Sequence, residues 1–184
     1  MGVQAPQFSV VVLPKLDNEP EIQRLRAKYD PWYEHIRPYI PVVLPFTPAT
    51  LDDIQHVGDY ISDARRRLHP LAVSFHDCQE GGDRLYFVLE TGRDELIELH
   101  RNLRGSEAGL LVRDAGYEPR LVIGRVPDPQ ERAAVRAEAN RIGRTLGVID
   151  AVVMVRVDPD GELKLVANYP FGVGRVDYFE KLGA

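Results

Sequence analysis

Arg37-Pro38-Tyr39-Ile40-Pro41-Val42 and, further along, Tyr117-Glu118-Pro119-Arg120-Leu121-Val122-Ile123-Gly124 are the two stretches on which the fold turns. In each, a proline opens a short apolar run of strand composition, and a second proline, Pro48 or Pro129, opens a helical pattern. Laid over each other at an offset of 81 residues, the units match at Pro38 and Pro119, Val42 and Ile123, Pro48 and Pro129, Ile54 and Val135, and Ile61 and Ile142. Strand start, helix start and helix face coincide, which implies an internal duplication with units at about 38–68 and 119–146. Tyr39 and Arg120 then occupy equivalent positions.

Outward from these units, residues 8–13 form a valine-rich run that reads as a buried strand. A helix follows Pro20, with Ile22, Leu25 and Tyr29 on one face, and stops at Asp30-Pro31 because a residue before proline avoids helical backbone. Residues 32–38 connect it to a strand at 39–46, where Pro41 and Pro45 lack ladder donors and imply an edge, a bulge or a cleft rim. Thr50 and Asp53 form a capping pair for a helix whose apolar face runs Leu51, Ile54, Val57, Ile61, Ala64 and Leu68. Arg65, Arg66 and Arg67 close it as cations suited to a helix C-terminus. Strands at 71–75 and 84–90 flank a turn at Gly81-Gly82-Asp83, and a short helix at 94–103 ends near Gly105. A strand at 120–126, a helix from 129 to about 146, and a hairpin of 151–157 with 162–168 across Asp158-Pro159-Asp160-Gly161 complete the chain.

The length of 184 residues suits one domain or two lobes sharing a core. A net charge of -5 argues against a broad surface for duplex nucleic acid while leaving room for a local basic cleft. Cys78 is the only cysteine, which excludes an internal disulfide and a multi-cysteine zinc site and suits a reducing compartment. Residues 1–7 lack the pattern of a signal peptide, and no apolar run is long enough to span a bilayer. The expectation is a cytoplasmic protein with no membrane contact.

The two opening stretches, together with Tyr29-Asp30-Pro31, Leu99-His100 and the ending from Asp158-Pro159-Asp160-Gly161 to Tyr169-Pro170-Phe171-Gly172, resemble the two-histidine phosphoesterase superfamily, which includes bacterial 2'-5' RNA ligase-like proteins. The resemblance covers nearly the whole chain. It implies an α+β fold of two lobes, with two pseudo-symmetric antiparallel sheets flanked by helices around a central cleft, as a single bilobal domain over 1–184. It also implies one His-x-Thr/Ser-apolar motif per lobe. One histidine would act as general base and the other as general acid on a 2',3'-cyclic or related phosphodiester, with the hydroxyls holding phosphate oxygens.

Here the motifs read Tyr39-Ile40-Pro41-Val42 and Arg120-Leu121-Val122-Ile123. All four motif positions, Tyr39, Pro41, Arg120 and Val122, are changed. Tyrosine and arginine titrate far above neutrality, so the family's proton transfers have no carriers at these positions. Arg120 would instead bind an anion through forked hydrogen bonds, and Tyr39 would stack on a base, donate to a phosphate or fill an emptied pocket. Arg37, Tyr117 and Arg125 flank the motifs and would extend such a site.

His35 and His76 are the candidates for relocated catalysis. The neighbouring Asp77 is set aside because adjacent strand residues face opposite ways. His56, His69 and His100, on or after helices, read as solvated. No metal-ligand set and no cofactor is expected. The partner implied is a nucleotide or an RNA with a terminal or cyclic phosphate, and nothing in these residues sets an oligomeric state. The leading expectation is a catalytically degenerate binder. An active phosphodiesterase or ligase-like enzyme using other residues, and a structural or protein-interaction role with a filled cleft, are the alternatives.

Overall fold

The computed structural model describes residues 5–104 and 116–180. Elements run in the order β1 (Gln7–Val12), β2 (Lys15–Leu16), α1 (Glu19–Tyr29), β3 (Ile40–Phe46), α2 (Leu51–Ala64), β4 (Leu71–Gly81), β5 (Arg84–Thr91), α3 (Arg93–Arg104), β6 (Arg120–Arg125), α4 (Pro129–Asn140), β7 (Thr145–Ile149), β8 (Ala151–Val157), β9 (Leu163–Pro170) and β10 (Asp177–Tyr178). One antiparallel sheet has the order β10-β9-β8-β1-β3 and the other β2-β7-β4-β5-β6. The molecule is therefore two-lobed and α+β. Both units found by the 81-residue offset contribute an edge strand, β3 to one sheet and β6 to the other.

Those two edges meet. The Val122 amide donates to the Tyr39 carbonyl at 3.2 Å, which joins the sheets at the two motif stretches. Proline at positions 41 and 45 is tolerated because β3 pairs only with β1, and the register there shifts twice. Helices α2 and α3 cover the first sheet, and α1 and α4 the second. Alternation sorts the strand residues. Val10, Val12, Val152 and Met154 join Ile54, Val57 and Ile61 of α2, whereas Leu121 and Ile123 join Ile22, Leu25, Val135 and Ala139 in the same continuous core. The opposite face of the first sheet carries a second cluster of Val11, Val153, Val155 and Leu163 with Ile36 and Tyr39.

Local sequence explains most boundaries. The capping box at Thr50 and Asp53 is formed on both sides. Asp128 caps α4 through the Gln130 amide at 2.9 Å. Gly124 has a positive φ of 151°, and a Cβ there would stand 2.4 Å from the Tyr29 carbonyl oxygen, so glycine lets α1 lie against β6.

Three expectations need correction. The helix expected to run from 129 to about 146 ends at Asn140, and a strand, β7, begins at Thr145. Gly143 at φ 79° makes the turn, after which Leu146 and Val148 are exposed while Thr145 and Ile149 are buried, a two-residue period hidden behind a helix-like start. The strand expected at 71–75 continues to Gly81 through a bulge between Phe75 and Cys78. The short strands β2 and β10 were not expected at all. The predicted end of α3 near Gly105 lies outside the described residues.

Candidate functional site

Beside the β3–β6 seam lies a cavity of about 260 Å³ whose wall includes Pro41, Arg84, Tyr86, Tyr117, Arg120 and Val122. Arg120 opens β6 with its side chain exposed, while its neighbour Leu121 points into the core. Its guanidinium carbon stands 4.1 Å from the centroid of the buried Tyr86 ring, a cation–π contact that holds the fork without neutralising it. Gly81 makes room for this stack, since a Cβ there would meet Tyr86 Cε1 at 3.0 Å. Arg84, two residues before Tyr86 on the same strand face, is the second guanidinium of the cavity. Among the described residues neither Arg84 nor Arg120 has an ion-pair partner.

Tyr39 and Arg120, equivalent in the sequence offset, have opposite surroundings. Tyr39 is 6% exposed, sits in the second apolar cluster against Trp32 and Val122, and does not line the cavity. Burial, with the Asp30 charge second, pushes its phenol well above the ordinary tyrosine range. Beneath the ring, the guanidinium of fully buried Arg26 lies 5.2 Å from the centroid. Arg26 binds Asp30 at 2.7 and 3.0 Å, the Gln23 side chain at 2.6 Å and the Ile36 carbonyl at 2.9 Å. Asp30 also accepts from the Trp32 amide, and the Trp32 indole donates to the Gly161 carbonyl at 3.0 Å. This network ties the 30–38 segment down over Tyr39.

The other residues singled out from sequence separate. Tyr117 is in the cavity wall, and its hydroxyl donates to the Pro41 carbonyl at 2.7 Å. Arg37 instead forks onto Glu19 at 3.0 Å and donates to the Pro14 carbonyl. Arg125 pairs with Asp83. Neither lines the cavity. Arg84 and Tyr86 were missed, although the alternation of Leu85, Phe87 and Leu89 into the core would have turned both to the other face.

No histidine lines this cavity. His35, His56 and His69 are exposed. His76 is exposed too, but its Nδ1 meets Asp77 Oδ1 at 2.7 Å, against the expectation from strand alternation, because both residues fall in the β4 bulge where alternation fails. His100 is buried rather than solvated. Its Nδ1 lies 2.6 Å from the Val42 carbonyl and so carries a proton, and its ring stacks on Tyr117 at 4.0 Å. His100 and Tyr117 thus satisfy consecutive carbonyls of the β3 edge.

For metals, Asp158, Asp160 and Glu162 bring oxygens within 4.8 Å of one another. Arg156 and Lys164 already pair with Asp158, and Lys164 with Glu162. These ion pairs make the trio part of the hairpin's own charge network. Among the described residues no helix is long and apolar enough to cross a membrane.

Comparison with known proteins agrees with this architecture. A solved phosphoesterase superposes with a TM-score of 0.61 at 13% identity, covering 90% of this chain and 98% of its own. Escherichia coli LigT complexed with ATP gives a TM-score of 0.56 at 13% identity over 92% and 99% of the two chains. Its complex with 3'-AMP gives 0.58 at 12% identity over 96% and 97%. No curated protein matches the sequence. The family model of the 2'-5' RNA ligase superfamily matches residues 14–161, a span that takes in both motif stretches, the whole β2-β7-β4-β5-β6 sheet, and β3 and β8 of the other, and the chain belongs to that superfamily.

Proposed function

We propose that the protein binds a phosphate-bearing ligand, a nucleotide or an RNA end, on the Arg120 side of its cleft and does not carry out the acid–base chemistry implied by two histidines. The observation that carries this reading is the convergence of Arg84 and Arg120, both without a carboxylate partner among the described residues, on one cavity of about 260 Å³. Two guanidinium groups in a confined, aromatic-walled space favour a phosphate through forked, charge-assisted hydrogen bonds. The aromatic rings and guanidinium planes offer stacking surfaces for a base. The crystal complexes of E. coli LigT with ATP, NADP+ and 3'-AMP support a nucleotide as the ligand class.

Catalysis would need a proton carrier near neutrality at the phosphorus, and the cavity wall holds tyrosines and arginines where one would stand. The apolar packing around Tyr39 supports a narrower version of the filled-cleft alternative, in which the first lobe's half of the site is core and binding is confined to the second lobe. Calorimetric titration with 3'-AMP, 2',3'-cyclic AMP and a short RNA bearing a 2',3'-cyclic phosphate, alongside a hydrolysis assay, tests the proposal. Saturable binding that Arg120→Ala weakens at least roughly tenfold, without turnover, is expected. Absence of binding to the wild type overturns the ligand site, and turnover overturns the non-catalytic assignment.

A further inference from the structure

Glu118 stands two residues before Arg120 and lines the same cavity. A carboxylate so placed is a candidate to neutralise the Arg120 guanidinium, and the two groups do feel one another, since Arg120 is among the charges that lower the Glu118 pKa. Yet no ion pair joins them. Both Glu118 oxygens are taken by Arg93 at the start of α3, with Nε to Oε1 at 2.6 Å and the terminal nitrogen to Oε2 at 2.7 Å. This is the forked geometry that arginine makes best, and it consumes the carboxylate's strongest acceptor directions. The third Arg93 nitrogen meets Asp94 at 3.2 Å. Among the described residues Arg120 keeps only the Tyr86 ring, which leaves its donors available.

We infer that Arg93 is a positioning residue: by holding Glu118 in a forked pair it prevents that carboxylate from closing onto Arg120 and keeps the Arg120 guanidinium open to an anion. Arg93 itself lies in the wall of a neighbouring cavity of about 420 Å³ and not in that of the Arg120 cavity. Its effect on binding therefore runs through Glu118. The inference rests on the anion-binding reading above, and it has a signature that reading lacks, namely that removal of Arg93 harms binding only while residue 118 carries a charge.

The test is a double-mutant cycle on the dissociation constant for 3'-AMP, at constant ionic strength, with wild type, Arg93→Ala, Glu118→Gln and the double variant. Arg93→Ala is expected to weaken binding roughly tenfold, the scale of losing one charge-assisted contact. Adding Glu118→Gln is expected to restore affinity to within about twofold of wild type, a gain larger than the same change makes beside an intact Arg93. Arg93→Lys, which keeps the charge and loses the fork, should fall between. Thermal melting of each variant identifies any that are misfolded, and the Glu118→Gln rescue gives a readout that damage to the fold would not produce. If Glu118→Gln raises affinity equally in both backgrounds, or if Arg93→Ala binds as wild type does, the inference is overturned. If wild type binds no 3'-AMP, it is the anion-site reading that has failed.

Discussion

Positions 39 and 120 stand 81 residues apart, each at the start of an edge strand on the seam between the sheets, and the side chains there meet opposite fates. Tyr39 is packed beneath Trp32 and over the buried Arg26–Asp30 pair, and its contacts are those of core. Arg120 stays exposed, braced by one aromatic ring and aimed into a cavity. The difference lies in what precedes each strand. The 30–38 segment is tied to Arg26 and to the Gly161 carbonyl and closes over its lobe's position, whereas Tyr117 and Glu118 are held by the Pro41 carbonyl and Arg93, away from theirs. Two positions matched by the sequence offset, each at the start of an edge strand, can therefore differ between a packed ring and an exposed cation through what precedes the strand.

That separation breaks most visibly at the packed position. Asp30→Ala leaves the Arg26 charge buried without its partner and should cost about 3–5 kcal/mol in urea unfolding. Tyr39→Ala should cost a similar amount, about 3–5 kcal/mol, as a large aromatic side chain is removed from a closed cluster. Neither loss should abolish 3'-AMP binding by the protein that remains folded. A Tyr39→Ala variant that folds normally but no longer binds would make position 39 part of the site after all.

The reverse pattern is expected at the open position. Arg120→Ala should weaken 3'-AMP at least roughly tenfold, with a shift in unfolding free energy within about 0.5 kcal/mol. A smaller effect comes from pH. Hydrogen bonding to Arg93 holds the Glu118 carboxyl below the ordinary glutamate range. A depressed carboxylate pKa adds stability that is present above the unfolded value, near 4.3, and is lost as pH falls through the folded value. Wild type should therefore exceed Arg93→Ala in stability at neutral pH, and their acid-unfolding curves should converge as pH falls through the lowered Glu118 value. Smallest of all is Tyr39→Phe, whose missing hydroxyl makes no hydrogen bond among the described residues. It should change stability by less than about 1 kcal/mol and leave binding as it was, confirming that position 39 contributes a ring rather than a donor.

The lobes were legible in the sequence because prolines and apolar periodicity mark strand and helix starts at a constant offset, and β3, α2, β6 and α4 begin within two residues of the positions those signals indicate. β7 was not, since Ile142 and Leu146 extend the helix face of Val135 and Ala139 and only the pairing of 71–75 with 145–149 reveals a strand. Half of the candidate site was legible for the same reason. Arg120 and Tyr117 could be found from the motif, but Arg84 reaches them across a bulged ladder whose register no single segment encodes. The burial of Tyr39 depended on the Arg26–Asp30 pair, which reads in sequence as an ordinary exposed i,i+4 contact on a helix. The Arg93–Glu118 fork spans 25 residues and leaves no local sign.

The alternation along β6 has one further consequence. Leu121 and Ile123 face a core shared by both lobes, Val122 packs against the Tyr39 cluster on the other face, and Arg120 alone of the four is exposed beside the cavity, so on this strand the packing residues and the exposed cation are different residues. Substitution at an exposed position such as 120 draws little on the fold's stability, so the chemistry presented to the cavity there can change while the protein remains folded.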